Sequence, residues 1–576
     1  MSWRSRTYDE LPALAVRGNN LRYSLRIVTG AWMVGIIWMT LTMGAHVTQF
    51  CQMLGFSQFD FGLMAAIPFI ATFGQLIAAV IVERTGLRKY QFVECLTVSR
   101  LLWIPIAALP FLLTLSVPPR SAVVLMLILL WAINFLVALG TPAFMSWLGD
   151  LVPRRLRGRY FARRFAYARP MQIVTVIGLW IVLDWAGSST GSIPTFHDSP
   201  RLMWTISGIF IAAAVFGVID ILLFLRIPEM VRSYRGDGDE KPSVQFDVQK
   251  PQGLDPLAIG RYWASYSRQV YLQLIDEPMR NASFRRYVLF SATMAFAMAA
   301  PGAFFMLNCL NNLKLSMGAT QFLFLVVSPI MGLVGASQWG RALDRWGRRP
   351  VLMVGATLTL VSVMPWFFAR SDTPAPLFLA QAVNAVAAWA GPLIGKPGWV
   401  VLGPGAPVGA FLIAMLSSFF GGIAWTGVAL AQNNILLSYS DGRGRSKYVA
   451  AAAVLASVGG ILGGLTGGTV AQHLQFLQAH PLEWGIFRWN QWHVTFAISF
   501  VTRALAVLWL VNMVDPGAGR TRDMARYMVT STYNNLAALV TFPLRVFGRS
   551  EGDEPQGPTQ HPKQKAASTT EREKTR

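Results

Sequence analysis

Runs of apolar residues recur along the chain between short polar or charged breaks. A helix of about 20 residues, rising about 1.5 Å per residue, crosses a hydrocarbon layer about 30 Å thick, and most of these runs are that long. The pattern predicts helix 1 at about 27–48, helix 2 at 59–82, helix 3 at 91–115, helix 4 at 121–148, helix 5 at 170–186 and helix 6 at 202–226. After a polar connector, 227–286, helices 7 to 12 are expected at about 287–308, 319–339, 351–369, 408–434, 448–470 and 493–514. The later part of the connector, around 256–286, has room for a surface helix. The expected fold is all-α and membrane-embedded, with twelve transmembrane helices in two six-helix bundles, 27–226 and 287–514. An arm, 1–26, and a basic tail, 515–576, flank them. The tail is partly amphipathic over about 520–549 and polar enough beyond 550 to be disordered.

Helix 11 has a second pattern inside it. Gly459, Gly463 and Gly467 run beside Gly460, Gly464 and Gly468, two rows at four-residue spacing. Such rows present a smooth face for close helix packing, and that role outweighs a direct substrate contact.

Composition agrees with the pattern: 53% of the 576 residues are hydrophobic and 14% charged, too apolar for an ordinary soluble chain of this length. The net charge of +22 would suit a nucleic-acid partner, so its placement decides. Arg154, Arg155, Arg157, Arg159, Arg163 and Arg164 crowd one loop, and Arg341, Arg345, Arg348 and Arg349 another. The intervening loops carry little more than Arg120 and Lys314. That alternation is the positive-inside asymmetry; it places both termini in the cytoplasm and the protein in the plasma (inner) membrane, and it excludes a nucleic-acid groove. Cys51, Cys95 and Cys309 are scattered and make neither a disulfide framework nor a metal site.

The densest charged turn is Gly340-Arg341-Ala342-Leu343-Asp344-Arg345-Trp346-Gly347-Arg348-Arg349-Pro350. It resembles the loop between the second and third helices of each half in the major facilitator superfamily, G-x-L-x-D-R-x-G-R-K/R in one-letter code. Ala342-Leu343 stand where Leu-Ala is more typical. A weaker copy, Glu83-Arg84-Thr85-Gly86-Leu87-Arg88-Lys89, aligns at an offset of 261 residues (Arg345 against Arg84), with Glu83 in place of the aspartate. The stretch from Asp150 and Pro153 through Arg157-Gly158-Arg159-Tyr160-Phe161 is similar to the loop between helices 4 and 5 in a bacterial branch of the superfamily. Arg443-Gly444-Arg445 echoes it at an offset of 286 (Arg443 against Arg157). The larger offset exposes an insertion in the second half, about 374–407. A thirteenth span there would carry Arg443, Arg445 and the basic tail to the wrong side, so the expected form is an extracellular or re-entrant hairpin.

The resemblance implies two pseudo-symmetric halves, a secondary transporter working by alternating access, and a cytoplasmic gate built on Asp344, Arg345 and Arg348. It also implies that helices 1, 4, 7 and 10 line the cavity, where Asn134 is the mid-membrane polar residue; His46, Asn308 and Gln432 lie nearer the ends. Ionisable groups inside spans are the other candidates, because burying them is costly. Arg100 and Arg503 could hold an anionic substrate or tie helices together, and Glu94 and Asp220 could carry a coupling proton. The expected partners are the bilayer, a small solute of unknown identity and a coupling ion, proton or sodium. A solute sensor that does not transport, and a lipid-moving protein, fit the same pattern. Gly187-Ser188-Ser189-Thr190-Gly191 matches a hydrolase elbow in letters only, since it lies in a loop between spans; no catalytic constellation and no cofactor or metal site is expected.

Overall fold

The computed structural model describes residues 18–227, 276–374 and 408–530, apart from short stretches of which 82–87, 153–156, 188–198 and 439–444 are the longest, and scattered positions in 265–268 and 376–392. Glu83, Arg84, Gly86, Pro153 and Arg443 therefore lie outside the described residues. So do most of the connector, nearly all of the insertion and the tail beyond 530. For Asp150, Arg157, Gly158, Arg159 and Arg445 only the helical backbone is described.

Eleven of the described helices are long and apolar enough to span a bilayer. They are helix 1 (Asn20–Met53), helix 3 (Arg88–Thr114), helix 4 (Pro119–Leu151), helix 5 (Arg157–Trp185), helix 6 (Pro200–Arg226), helix 7 (Ala282–Asn312), helix 8 (Met317–Trp346), helix 9 (Arg348–Phe367), helix 10 (Val408–Ser438), helix 11 (Arg445–His473) and helix 12 (Gln491–Val511). Helix 2 is described over Gln58–Thr72, opened by a reciprocal cap between Ser57 and Asp60. A short antiparallel ribbon, Leu482–Trp484 with Phe487–Trp489, joins helices 11 and 12. We call the end of the bundle that carries it the hairpin end, and the end that carries Gly347 the arginine end.

Packing repeats between the halves. Helix 1 packs on helices 5 and 6, helix 3 on 4 and 6, and helix 2 on 4. In the second half, helix 7 packs on 11 and 12, helix 9 on 10 and 12, and helix 8 on 10. The two sequence offsets thus correspond to one repeated packing scheme.

Three boundaries differ from the apolar pattern. Helix 5 begins at Arg157 instead of about 170, because arginine is a good helix former and needs only water or headgroups around it. Helix 8 likewise runs past 339 to Trp346, which compresses the charged turn to the single residue Gly347. Helix 1 extends to Met53 and is interrupted at Gly44, whose φ of 110° suits glycine and few other residues.

Candidate functional site

The turn at the arginine end is held from within its own half. Gly347 has φ 84° and ψ −177°, and a Cβ there would sit 3.1 Å from Ala518 Cα. The freed amides that open helix 9, Arg348 N–H and Arg349 N–H, both donate to Asp515 Oδ2 at 3.0 Å. The Arg348 guanidinium lies 3.6 Å from the same carboxylate. An acid at a helix N-terminus satisfies orphan donors and favours the dipole. Arg349 donates to the Leu510 and Val511 carbonyls at the end of helix 12. The first half repeats this: Lys89, at the start of helix 3, donates to Leu225 O and Ile227 O at the end of helix 6. Arg88 beside it is buried. Asp515 was not singled out in the sequence, because nothing in its spacing marks it as a cap for a helix begun so far upstream. Asp344, the expected gate residue, is exposed and has no ion pair among the described residues.

Inside the halves, the buried arginines sit where helices meet. In the first, Arg100 is 6% exposed and stacks over Trp38 of helix 1 with its guanidinium carbon 3.3 Å from the ring centroid. Asp220 of helix 6 attracts it and Arg164 of helix 5 alike. Arg164 in turn stacks over Trp32 at 4.5 Å. In the second half, Arg503 of helix 12 donates to Thr359 O at 2.9 Å and reaches Ser499 Oγ at 3.2 Å. At the 286 offset Arg503 corresponds to Gly217, and a Cβ on Gly217 would sit 2.7 Å from Arg100 Cδ. Both halves therefore fill the same gap with an arginine, supplied from helix 3 in one and from the helix 6 equivalent in the other. Of the remaining candidates, Glu94 is exposed and Asn134 donates to Leu130 O of its own helix at 2.8 Å.

Among the described residues, the close approaches between the halves run from the hairpin end to the middle of helices 2 and 11. The glycine row Gly460, Gly464 and Gly468 faces helix 2, with a Cβ on Gly464 falling 2.8 Å from Gly62 O. The neighbouring row, Gly459, Gly463 and Gly467, faces Ala292, Phe296 and Ala300 of helix 7 within its own half. Gly318 of helix 8 is pressed against the ring of Trp180 of helix 5. Trp492 Nε1 donates to Gln58 Oε1 at 3.1 Å, and Phe59 N–H to Gln472 Oε1 at 3.3 Å.

His46, fully buried after the Gly44 break, pairs through Nδ1 with Gln321 Nε2 of helix 8 while Nε2 meets Leu41 O at 2.8 Å. At the same end of the bundle, Gln49 Nε2, Asn308 Nδ2, Thr320 Oγ1 and Gln321 Oε1 are buried without a partner among the described residues. These residues are far apart in sequence and each reads singly as an end-of-helix polar group; only the fold gathers them. Beyond the spans at this end, Arg370 and Asp372 form an exposed pair at 2.7 Å, and its hydrogen bond holds the Asp372 carboxyl below its ordinary range.

Residues 27–402 match the family model described as Major Facilitator Superfamily, and the chain belongs to that family of transporters. Among solved structures it is similar to a mutant of the nucleoside transporter NupG, at 12% identity and a TM-score of 0.52, covering 86% of this chain and all of that one. It is also similar to the xylose transporter XylE from E. coli in an inward open conformation, at 14% identity and a TM-score of 0.51, covering 88% of this chain and 99% of that one. No curated protein matches. The fold is thus that of a twelve-helix membrane transporter.

Proposed function

We propose that the chain carries a small solute across the bilayer by alternating access, here with the hairpin end sealed and the arginine end open. The observation that carries this reading is the position of the inter-half contacts described above, which among the described residues run from His46–Gln321 at the hairpin end to Phe69–Gly460 near mid-span and no farther. Exposed Asp344 fits a gate released in this conformer, with Arg345 and Arg348 on the same turn. By the positive-inside asymmetry the arginine end faces the cytoplasm of a plasma (inner) membrane, together with the arm 1–26, the connector 227–286 and the tail 515–576.

Asp220 suits a coupling proton better than Glu94 does. It is a buried carboxylate with no hydrogen bond among the described residues. A sodium ion would need several oxygen ligands, and the groups around Asp220 are two arginines and a glycine backbone.

Single cysteines placed along helices 2 and 11 test the reading. A membrane-impermeant maleimide should reach positions near Phe69 from one side only, and from the other side once a solute drives the change. Accessibility that never alternates would overturn it.

A further inference from the structure

Helices 3, 6 and 9 pack within their own halves, and helix 12 packs on helices 7, 9 and 11 and reaches across through Trp492 at the hairpin end, so the cleft between the halves is bounded by helices 1, 2, 4, 5 and 7, 8, 10, 11. Charged side chains on those eight helices sit near their ends, with one exception. Helix 10 carries none at all. Away from the unpartnered polar groups at the hairpin end, Asn134 donates to Leu130 O, Thr141 to Val137 O, Thr293 to Leu289 O and Thr426 to Gly422 O, each on its own helix, while the Ser291 and Ser418 hydroxyls are buried without a partner among the described residues. Arg100 and Arg503 are committed inside the halves. A cleft with so few charged side chains has little to offer a multiply charged solute.

The exception is Arg169 of helix 5, twelve residues past the start of that helix at Arg157. It is half-buried and donates to Gln172 Oε1 at 2.6 Å; its Nε, like those of Arg100 and Arg164, is buried without a partner among the described residues, but no aromatic ring covers its guanidinium there. It makes no ion pair among the described residues. Arg169 lies three turns before Trp180, about 20° away around the helix and on the order of 16 Å along it. Trp180 touches Gly318 of helix 8, so regular helix geometry puts Arg169 on the face turned toward the other half, three turns nearer the arginine end. Among the described residues this guanidinium is bonded to a neutral amide and has no ion-pair partner, which leaves it free to hold an anion.

We infer that the cargo is an amphiphile with one anionic group, its apolar body lying in the cleft and its anion held by Arg169. This rests on the transporter reading above. Decyl sulfate and decyltrimethylammonium, equal in chain and opposite in charge, are the probes, with methyl sulfate and xylose for comparison. Below their micelle-forming concentrations, decyl sulfate should raise the Tm of the purified protein at a concentration at least tenfold lower than decyltrimethylammonium, and the two hydrophilic probes should not.

Arg169→Gln should abolish the tenfold preference, and Arg169→Lys should keep most of it. Equal stabilisation by the two amphiphiles, or a preference that survives Arg169→Gln, overturns the assignment. Uptake of xylose into proteoliposomes without decyl sulfate binding would overturn it while leaving alternating access intact. A failure of alternating access shows separately in the cysteine labelling.

Discussion

At the residue scale, this chain places its costly groups where a neighbour compensates them. Gly347 combines a left-handed φ with an extended ψ, a combination that costs a side chain of order 1–3 kcal/mol. Gly347→Ala should therefore lower stability by about 2 kcal/mol, read as a fall in Tm of the purified protein. Asp220 faces two buried arginines, so Asp220→Asn leaves their charge unbalanced. A loss of about 3 kcal/mol or more is expected, partly restored by Arg100→Met in the same chain. By contrast the exposed Arg370–Asp372 pair contributes little. Because its carboxyl is held low, whatever it adds is present above the unfolded value and lost as pH falls through the folded one. Asp372→Asn should leave Tm at neutral pH nearly unchanged.

Elements carry the conformational part. Helix 11 uses two adjacent glycine rows for two partners, one in its own half and one across the cleft. Gly463→Leu should damage folding, since it meets the Phe296 backbone inside the half, and should lower the yield of folded protein. Gly464→Leu meets helix 2 across the seal, so the protein should fold with its hairpin end held open, read as labelling from that side. Both helices that flank the seal contain π-helical turns, Asn308–Asn312 and Leu323–Val327, a local widening that often accompanies function. Gln321 lies between them along the chain, and its bond to His46 joins the two halves, so it must break whenever the hairpin end opens. Removing it by Gln321→Ala should shift the open–closed ratio about fivefold toward the hairpin-open form, the equivalent of about 1 kcal/mol.

For the whole molecule, the two offsets of 261 and 286 mark one packing scheme used twice, and the positive-inside asymmetry predicts which end faces the cytoplasm. Trp484→Cys should label from outside intact cells, and Arg341→Cys only after permeabilisation; the reverse would invert the orientation. The spans were legible because crossing a bilayer demands length and apolarity, which a sequence records directly. Their ends were less so. The basic turns of helices 5 and 8 are as helical as the apolar parts, but hydropathy ignores backbone hydrogen bonds, and so Arg164 and Arg169 were passed over as loop or boundary residues.

The amino-acid sequence by itself determined the fold class, the twelve spans, their pairing into halves and the charged turn at Gly347, because each follows from composition or local repetition. It also marked Arg100, Asp220 and Arg503 as groups needing compensation, since a charge inside a span is costly whatever surrounds it. Which neighbour compensates them was decided only by the tertiary structure. So were the capping of helix 9 by Asp515 and the pairing of His46 with Gln321. Those relations join residues tens to hundreds of positions apart, through side-chain geometry that no local pattern encodes.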